Sequence, residues 1–237
     1  MPSSELVDRY LRDGVARLAG AFSPEVAGEM ATAVWSELER VHGIRRDDRS
    51  TWPTGAPSGL GRLRSAGAFR AIGTDRVEDA VTALAPTRPP QQHDDWGGPL
   101  VTFPSPGTWR VPTTGWHLDY PVRGAPDSTL ALKWLAYLAP VPAGGGGTVA
   151  VPGSHRLVAR WSAQAPPEDP GRSAAVRDAV FEMLEGPEAH DVPVRVAELS
   201  GQPGDVVFMH PHVLHAAAPN HANGPRLMVT GGIYLPR

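Results

Sequence analysis

Residues 129–138 restrict the fold more than any other stretch of this chain. Strand side chains alternate between two faces, so alternate residues of this run lie on opposite sides. The two sets are Leu130, Leu132, Trp134, Ala136 and Leu138, and Thr129, Ala131, Lys133, Leu135 and Tyr137. Both sets are mostly apolar, which is typical of a strand that is buried on both sides. The run therefore predicts a strand enclosed within a structure of two β-sheets.

Short apolar segments separated by turn residues surround this strand. Glycine and proline number 26 each, which is high for a helical protein and favours a strand-rich, loop-rich one. The further predicted strands are residues 15–18, 100–103, 117–120, 148–151, 192–199, 205–209 and 226–235. Short strands with regular turn signals, together with helices, predict a mainly β protein with flanking helices and a double-sheet jelly-roll core.

Helical patterns are concentrated in the first part of the chain. The predicted helices are residues 3–13, 24–42 and 74–85, and a later helix that begins at Ser173. The second helix is the clearest, because Ser23 and Pro24 match a capped start and Gly43 ends the apolar stripe. The predicted loops are residues 44–68, 86–99 and 163–172.

The domain organisation follows from length and pattern. An all-β domain of this length is routinely a single unit, and the chain shows no internal repeat. Residues 1–237 are therefore predicted to form one domain, with a helical flank over about 1–99 and the jelly-roll core over about 100–237.

Composition excludes several classes of function. The chain has no cysteine, so disulfides, thiolate metal sites and cysteine nucleophiles are ruled out. A net charge of -3 without a basic run argues against nucleic-acid binding. No apolar run is long enough to span a membrane, and the N-terminus lacks a signal-peptide core. We therefore expect a cytoplasmic protein with no nucleic-acid partner and no membrane contact, whereas the oligomeric state is not set by the sequence.

The segment His117-Leu118-Asp119 predicts half of a metal site. On a strand, His117 and Asp119 lie on one face, although a single pair of this kind is usually a surface pair or a core hydrogen bond. A second histidine downstream would complete a set of two histidines and one carboxylate, which suits non-haem Fe(II) and O2. The stretch from His210 to His215 offers three histidines, and strand alternation does not choose among them because Pro211 interrupts the ladder.

Four ordered motifs give the chain a family resemblance. They are His117-Leu118-Asp119, then Val151 to Arg156 (VPGSHR), then Gly204 to Phe208 (GDVVF), then His215, Asn220 and Arg226. In this order they resemble the phytanoyl-CoA hydroxylase-like family of Fe(II)/2-oxoglutarate-dependent dioxygenases. The resemblance covers about residues 100–235 well and 5–40 weakly. It implies a double-stranded β-helix (cupin-like) core, Fe(II), the cosubstrates 2-oxoglutarate and O2, and hydroxylation of a small-molecule C–H bond with release of succinate.

The resemblance also implies the metal ligands. His117 and Asp119 match the first two, and His215 matches the third because small residues and Pro219-Asn220 follow it. His210 and His212 are then neighbours of the site. Relatives that halogenate carry a small residue in place of the carboxylate, so Asp119 predicts oxygen chemistry.

Cosubstrate contacts are implied in the same way. Arg226 matches the arginine that binds the far carboxylate of 2-oxoglutarate, a task suited to its planar, permanently charged fork. Many relatives have a hydroxyl residue where this chain has Ala217, so Thr102 and Thr148 are candidates to replace it. Trp134 matches an aromatic residue that packs near the cosubstrate, with a plain core role as the alternative.

Other residues are assigned more broadly. His155, in the VPGSHR motif, is predicted to be structural, and His221 to lie in an exposed turn. Trp116, Tyr120 and Arg123 are candidates to face the substrate. Trp96 and His93 are candidates for a pocket mouth, with a packed or exposed role favoured for both. Residues 44–68 and 163–172 are the candidate lids.

Two alternatives to hydroxylation stay open. The same cofactors can also drive desaturation, cyclisation or epimerisation, which sequence does not separate. A cupin-like isomerase or metal-binding module would need no 2-oxoglutarate, and therefore no buried arginine at position 226.

Overall fold

The computed structural model describes residues 4–85, 95–119, 128–164, 173–186, 191–192 and 195–236. Its α-helices are α1 (Ser4–Asp13), α2 (Pro24–His42), α3 (Gly61–Ser65), α4 (Asp75–Leu84), α5 (Ser154–Gln164) and α6 (Ser173–Glu185). Its strands are β1 (Val15–Leu18), β2 (Gly98–Thr102), β3 (Ser128–Tyr137), β4 (Val149–Ala150), β5 (Ala197–Glu198), β6 (Val206–Met209), β7 (His215–Ala216) and β8 (Arg226–Pro236). Among the described residues, no helix is long and apolar enough to cross a membrane.

The strands form two antiparallel sheets of unequal size. The larger sheet has the order β1-β6-β3-β8-β2, and the smaller one has the order β5-β4-β7. Strand β3 is central, because it pairs with β6 on one side and with β8 on the other. This mainly antiparallel β architecture with several helices confirms the predicted fold class. That residues 1–237 form a single domain stays a prediction.

Both faces of the large sheet are buried, as the alternation in β3 predicts. One face contributes to a core shared with the helices, through Trp134, Ala136, Val206, Phe208, Leu227 and Val229. The opposite face, called the inner face below, carries Leu135, Tyr137, Val207 and Met228. Each large side chain that is fully buried contributes about 1.5–3 kcal/mol, so β3 is anchored from both sides.

Helix α2 forms where the sequence predicts it. The Ser23 side chain accepts a hydrogen bond from the Val26 backbone N–H, and Pro24 occupies the first turn. Gly43 ends the helix in the left-handed conformation, with φ of 67°, which glycine adopts without a steric penalty. The apolar stripe packs into the core on the helix side of the large sheet.

The structure differs from the sequence predictions in four places. Residues 154–164 form α5, where a turn and the start of a loop were expected. The predicted loop 44–68 contains α3 and a short 3-10 helix at Arg49–Thr51. The predicted strand 192–199 is reduced to β5, and residues 193–194 lie outside the described residues. Residue His117 forms an isolated β-bridge rather than the start of a strand.

Candidate active site

Two histidines meet through their backbones at the smaller sheet. His117 N–H donates to the His215 carbonyl at 2.9 Å, and His215 N–H donates to the His117 carbonyl at 3.1 Å. This exchange is that of a hydrogen-bonded antiparallel pair, which places the two side chains next to each other. Their ring centroids are 4.2 Å apart. The predicted pairing of His117 with His215, rather than with His210 or His212, agrees with this geometry.

Each ring is oriented by a backbone carbonyl. His117 Nδ1 lies 2.8 Å from the Gly115 carbonyl, and His215 Nδ1 lies 2.9 Å from the Val213 carbonyl. A carbonyl oxygen only accepts, so both Nδ1 atoms carry the proton and both Nε2 atoms are left with a free lone pair. Burial lowers the pKa of His215 to about 4, against the opposing effect of Asp119. The buried ring is therefore neutral near pH 7, the form that binds metals.

Asp119 faces the same point. Its Oδ2 lies 3.5 Å from His215 Nε2, and its backbone N–H donates to the Pro211 carbonyl at 3.1 Å. Ligand atoms of His117, Asp119 and His215 all lie within 4.8 Å of one another. Oδ2 is buried and accepts no hydrogen bond from the described residues. A buried carboxylate oxygen that accepts no hydrogen bond, beside two imidazole lone pairs, is the donor set of a divalent metal site.

The first residue of α5 holds the strand that carries His215. Ser154 is fully buried, and its hydroxyl accepts from Leu214 N–H at 2.8 Å and donates to the Val151 carbonyl at 2.7 Å. Val151 N–H in turn donates to the Leu214 carbonyl at 2.9 Å. The VPGSHR motif thus fixes the residue before His215 from two directions.

A separate cluster contains the remaining nearby histidines. The ring centroid of His210 lies 5.1 Å from that of His155, 5.1 Å from that of His212 and 6.1 Å from that of Tyr10. Burial, together with the neighbouring His212 and His155, lowers the pKa of His210 to about 3. His155 Nε2 bonds the Leu11 carbonyl at 3.2 Å, which fits the structural role predicted for it. This cluster is outside the group that converges on Asp119.

Arg226 is a buried cation at the start of β8. It is 5% exposed, and burial lowers its pKa to about 10, so it stays charged at neutral pH. Nη2 donates to Thr102 Oγ1 at 2.8 Å, Nη1 donates to the Gly146 carbonyl, and Nε is buried without a partner. No carboxylate among the described residues forms an ion pair with it. A buried guanidinium with a free donor is suited to receive an anion.

The hydroxyl beside Arg226 comes from the neighbouring strand. Thr102 lies directly opposite Arg226 in the β2–β8 register, and Asn220 Nδ2 donates to the Thr102 carbonyl at 3.0 Å. Ala217 is exposed, so the structure brings Thr102 rather than position 217 to the arginine. Thr148 is buried before β4, and the contact that places it is its backbone carbonyl, which accepts from Leu199 N–H at 2.8 Å.

The position of Trp134 bears on its two predicted roles, one near the cosubstrate and one in the core alone. Its side chain lies on the helix face of β3, opposite the inner face that carries Tyr137. The indole N–H donates to the Trp96 carbonyl at 3.0 Å, and the two indole centroids are 5.1 Å apart. Trp134 and Trp96 are therefore core residues.

The other broad assignments have mixed outcomes. Trp116 packs in the core of the smaller sheet, with its ring edge-on to Phe181 at 6.3 Å. His221 is partly buried rather than exposed, because its Nδ1 lies 2.8 Å from the Ser105 carbonyl. Tyr120, Arg123 and His93 lie outside the described residues, as does most of the candidate lid 163–172.

Sequence reasoning missed Lys133. Its Nζ lies 2.8 Å from Asp119 Oδ1 and 2.7 Å from Oδ2, of which only the first contact has hydrogen-bond geometry. Nζ is also 3.5 Å from His215 Nε2. The signal was present, since a lysine within a strand buried on both faces needs an acidic partner.

Comparisons with known proteins agree with this geometry. The model of the phytanoyl-CoA dioxygenase (PhyH) family matches residues 10–228. No curated protein sequence matches the chain.

Solved structures show the same fold at low sequence identity. The epimerase SnoN from nogalamycin biosynthesis, solved with Fe3+, alpha ketoglutarate and nogalamycin RO, is 23% identical with a TM-score of 0.54, and the match covers 98% of this chain and 82% of that chain. The carbocyclase SnoK from the same biosynthesis is 19% identical with a TM-score of 0.55, covering 98% and 83%. HygX from Streptomyces hygroscopicus, solved with nickel and 2-oxoglutarate, is 16% identical with a TM-score of 0.57, covering 100% and 88%.

Proposed function

The chain belongs to the phytanoyl-CoA dioxygenase family, and from this premise we propose that it is an Fe(II)- and 2-oxoglutarate-dependent oxygenase that hydroxylates a C–H bond of a small molecule. The observation that carries the proposal is the buried cation Arg226, which has no carboxylate partner among the described residues. It lies on the same sheet as Lys133, whose ammonium group contacts Asp119. A metal site alone does not require such an arginine, whereas a dicarboxylate cosubstrate does.

The residues present fit Fe(II). His117 and His215 would hold it through Nε2, and Asp119 through the buried Oδ2. Three protein ligands leave positions open for other molecules, and imidazole with carboxylate suits non-haem iron. The backbone bridge between the histidines sets their spacing before any metal binds, so the chain itself orients two of the three ligands.

The residues at the start of β8 fit the far carboxylate of 2-oxoglutarate. Arg226 would bind it through its guanidinium donors, and Thr102 would add a hydroxyl. Bound Fe(II), 2-oxoglutarate and O2 together supply the oxidising chemistry, with loss of CO2 and formation of succinate. The chain contributes a low-dielectric inner face, which strengthens each charged contact and excludes water from the reacting groups.

A second outcome of the same chemistry is supported by the neighbours. SnoN is described as an epimerase and SnoK as a carbocyclase, and both share this fold. Hydroxylation adds one oxygen atom to the substrate, epimerisation leaves the mass unchanged, and cyclisation or desaturation removes two hydrogens. The mass of the product therefore separates these outcomes once a substrate is found.

The first prediction concerns Arg226. Anaerobic Fe(II) and 2-oxoglutarate should give a visible absorption band that reports chelation of protein-bound iron. Removing one partner of a buried charge pair costs about 2–5 kcal/mol, so Arg226→Leu should raise the 2-oxoglutarate concentration needed for the band by roughly 30-fold to several thousand-fold. Arg226→Lys should fall between this variant and the parent, because it keeps the charge without the planar fork.

The matched control is Arg110→Leu, since Arg110 is exposed. It should titrate like the parent. Iron affinity should be the same in all four proteins, because Arg226 is not a ligand. If the band forms at the same 2-oxoglutarate concentration in all four proteins, Arg226 does not have the proposed role. If no band forms in the parent, the oxygenase proposal is wrong.

A further inference from the structure

We propose that Lys133 couples metal binding to 2-oxoglutarate binding: it takes the place of the metal in the metal-free site and turns to the metal-proximal carboxylate of 2-oxoglutarate once the site is loaded. This inference rests on the proposed function and assigns a role to a residue that the iron and cosubstrate contacts above leave out.

The amino-acid composition singles out this residue. The chain has 22 lysine and arginine residues, and Lys133 is the one lysine among them. Arginine binds a carboxylate through two fixed bonds, whereas lysine is a point charge on a flexible four-carbon stem. A cation that must leave its partner and find another is better provided by lysine.

The position of the ammonium group matches that of a bound cation. Lys133 contacts both oxygens of Asp119 and approaches His215 Nε2, with Nζ to atom distances of 2.8, 2.7 and 3.5 Å. Two of these atoms, Asp119 Oδ2 and His215 Nε2, are the ones proposed to bind iron. The Lys133 and Asp119 side chains are 18% and 15% exposed, so the pair is largely shielded from water.

A metal ion and this ammonium group cannot share these atoms. A divalent ion at Asp119 and an ammonium group in contact with the same carboxylate would repel strongly at partly buried positions. Metal entry therefore displaces Nζ from Asp119 Oδ2 and from His215 Nε2, and it weakens the hydrogen bond of Nζ to Oδ1. The stem is anchored on β3, on the inner face, so the displaced ammonium group stays close to the site.

The displaced ammonium group then shares its anionic partner, Asp119, with the metal. Weakening the acidic partner of a shielded charge is costly, and metal binding alone should therefore be weakened by Lys133. 2-Oxoglutarate brings a carboxylate to the metal, next to this group, and restores a partner. Metal and cosubstrate should consequently each strengthen the binding of the other, and this coupling is reciprocal.

The test is the affinity for Mn(II), measured by electron paramagnetic resonance with and without saturating 2-oxoglutarate. Lys133→Met keeps a similar length without charge. In the absence of 2-oxoglutarate, the variant should bind Mn(II) more tightly than the parent. The factor by which 2-oxoglutarate increases Mn(II) affinity should fall in the variant, and typical coupling corresponds to about 5- to 150-fold. Equal affinity without cosubstrate, or an equal coupling factor, would overturn the inference.

A second variant guards against a purely structural effect. Lys133→Arg should bind Mn(II) more weakly than the parent, because a guanidinium group holds Asp119 through two bonds. If it binds Mn(II) as Lys133→Met does, loss of the lysine shape explains the result and the inference fails. Failure of the proposed function is distinguishable, since in that case 2-oxoglutarate would not change the Mn(II) affinity of the parent.

The single lysine also allows a direct measurement. Reductive methylation with 13C-formaldehyde labels only Lys133 and the N-terminal amine, and it preserves their charges. The Lys133 signal should shift when Zn(II) is added and shift again when 2-oxoglutarate follows. A Lys133 signal that does not respond to Zn(II) would contradict the displacement.

Discussion

Two cations on one sheet have different relations to acidic groups. Lys133 has Asp119 as a partner. Within the described part of the chain, Arg226 is bonded only to a hydroxyl and a carbonyl, and its buried Nε has no partner. A buried charge without a counter-ion is destabilising unless a ligand supplies one. This difference supports the proposals that Arg226 binds the dicarboxylate and that Lys133 responds to the metal.

Thr102 should contribute to cosubstrate affinity through its hydroxyl. Thr102→Val keeps the shape but leaves Arg226 Nη2 without its acceptor, and hydrogen bonds to charged groups contribute about 1.5–3 kcal/mol. We expect a 2-oxoglutarate affinity about 10- to 100-fold weaker, measured by the anaerobic visible band, with unchanged iron affinity.

Thr102→Ser is the matched control, because it retains the hydroxyl. It should bind 2-oxoglutarate nearly as the parent does. If Thr102→Val titrates like Thr102→Ser, the hydroxyl only completes the packing around Arg226.

Individual site residues differ in how well the sequence identifies them. His117 and Asp119 have the spacing of neighbours on one strand face, and His215 and Arg226 belong to recognisable motifs, so all four can be proposed from the chain alone. The pairing of Thr102 with Arg226 depends on the β2–β8 register, which no local pattern specifies.

At the scale of elements, one face of β3 contributes to the candidate metal site and the other face contributes to the core. Lys133 projects toward the metal ligands, while Trp134 is 1% exposed in the core on the helix side. Because both faces of this strand are apolar, alternation identifies two sets of residues without saying which set is the inner one. This ambiguity explains why alternation alone does not identify Lys133, whereas the predicted place of Trp134 near the cosubstrate rests on the family resemblance.

Replacing Trp134 should therefore affect stability and not cosubstrate binding. Trp134→Phe leaves a cavity and removes the bond to the Trp96 carbonyl, so we expect the free energy of unfolding to fall by about 1–4 kcal/mol. Urea denaturation measures this change, and the visible band should show an unchanged 2-oxoglutarate affinity.

Trp161→Phe is the control, because Trp161 is only partly buried and should lose less stability. A Trp134→Phe protein of parental stability with weakened 2-oxoglutarate binding would favour the predicted role of Trp134 near the cosubstrate over the core role.

Helices were predictable to different degrees for a physical reason. Helix α2 has its capping residues, its apolar stripe and its terminal glycine within one continuous segment. Helix α5 begins at Ser154, whose hydroxyl bonds Leu214 at a position far along the chain. A start that is stabilised by tertiary contacts leaves no local signature, and the preceding Pro152-Gly153 favours a turn.

At the scale of the whole molecule, the histidine cluster joins three parts of the chain. Tyr10 comes from α1, His155 from the first turn of α5, and His210 and His212 from the connection between β6 and β7. His210 Nδ1 accepts a hydrogen bond from the His212 backbone N–H at 3.1 Å, which requires the ring to be unprotonated at that atom.

This cluster should make the protein acid-sensitive. The pKa of His210 is about 3 in the folded protein and about 6.5 in an unfolded chain, so between these values the unfolded state binds the extra proton. The free energy of unfolding should therefore fall as the pH decreases from about 6.5, by up to about 1.4 kcal/mol per pH unit for this residue, and the effect is complete near pH 3. Urea denaturation of the metal-free protein between pH 7.5 and 5 measures it.

His210→Asn should flatten this dependence. The control is His42→Asn, because His42 is exposed at the end of α2 and should leave the slope unchanged. If the parent and His210→Asn lose stability equally over this range, other groups cause the acid sensitivity.

The global architecture was the most predictable level. Apolar alternation and turn spacing specify two packed sheets with helices on one side, because burial on both faces leaves few other arrangements. The lengths of the smaller sheet's strands were not predictable, since two-residue strands such as β4, β5 and β7 are too short to produce a periodic pattern.

The bridge between His117 and His215 also bears on how such a protein can diversify. The chain between the two residues passes through β3, β4, α5, α6, β5 and β6, yet their separation is set by two backbone hydrogen bonds. Loop-closure entropy grows slowly, by about 0.6 kcal/mol for each doubling of loop length. Segments between the two ligands can therefore be lengthened, shortened or exchanged with little effect on the spacing of the rings. Insertion, rather than substitution at the ligands, is the route by which one such scaffold can come to accept new substrates.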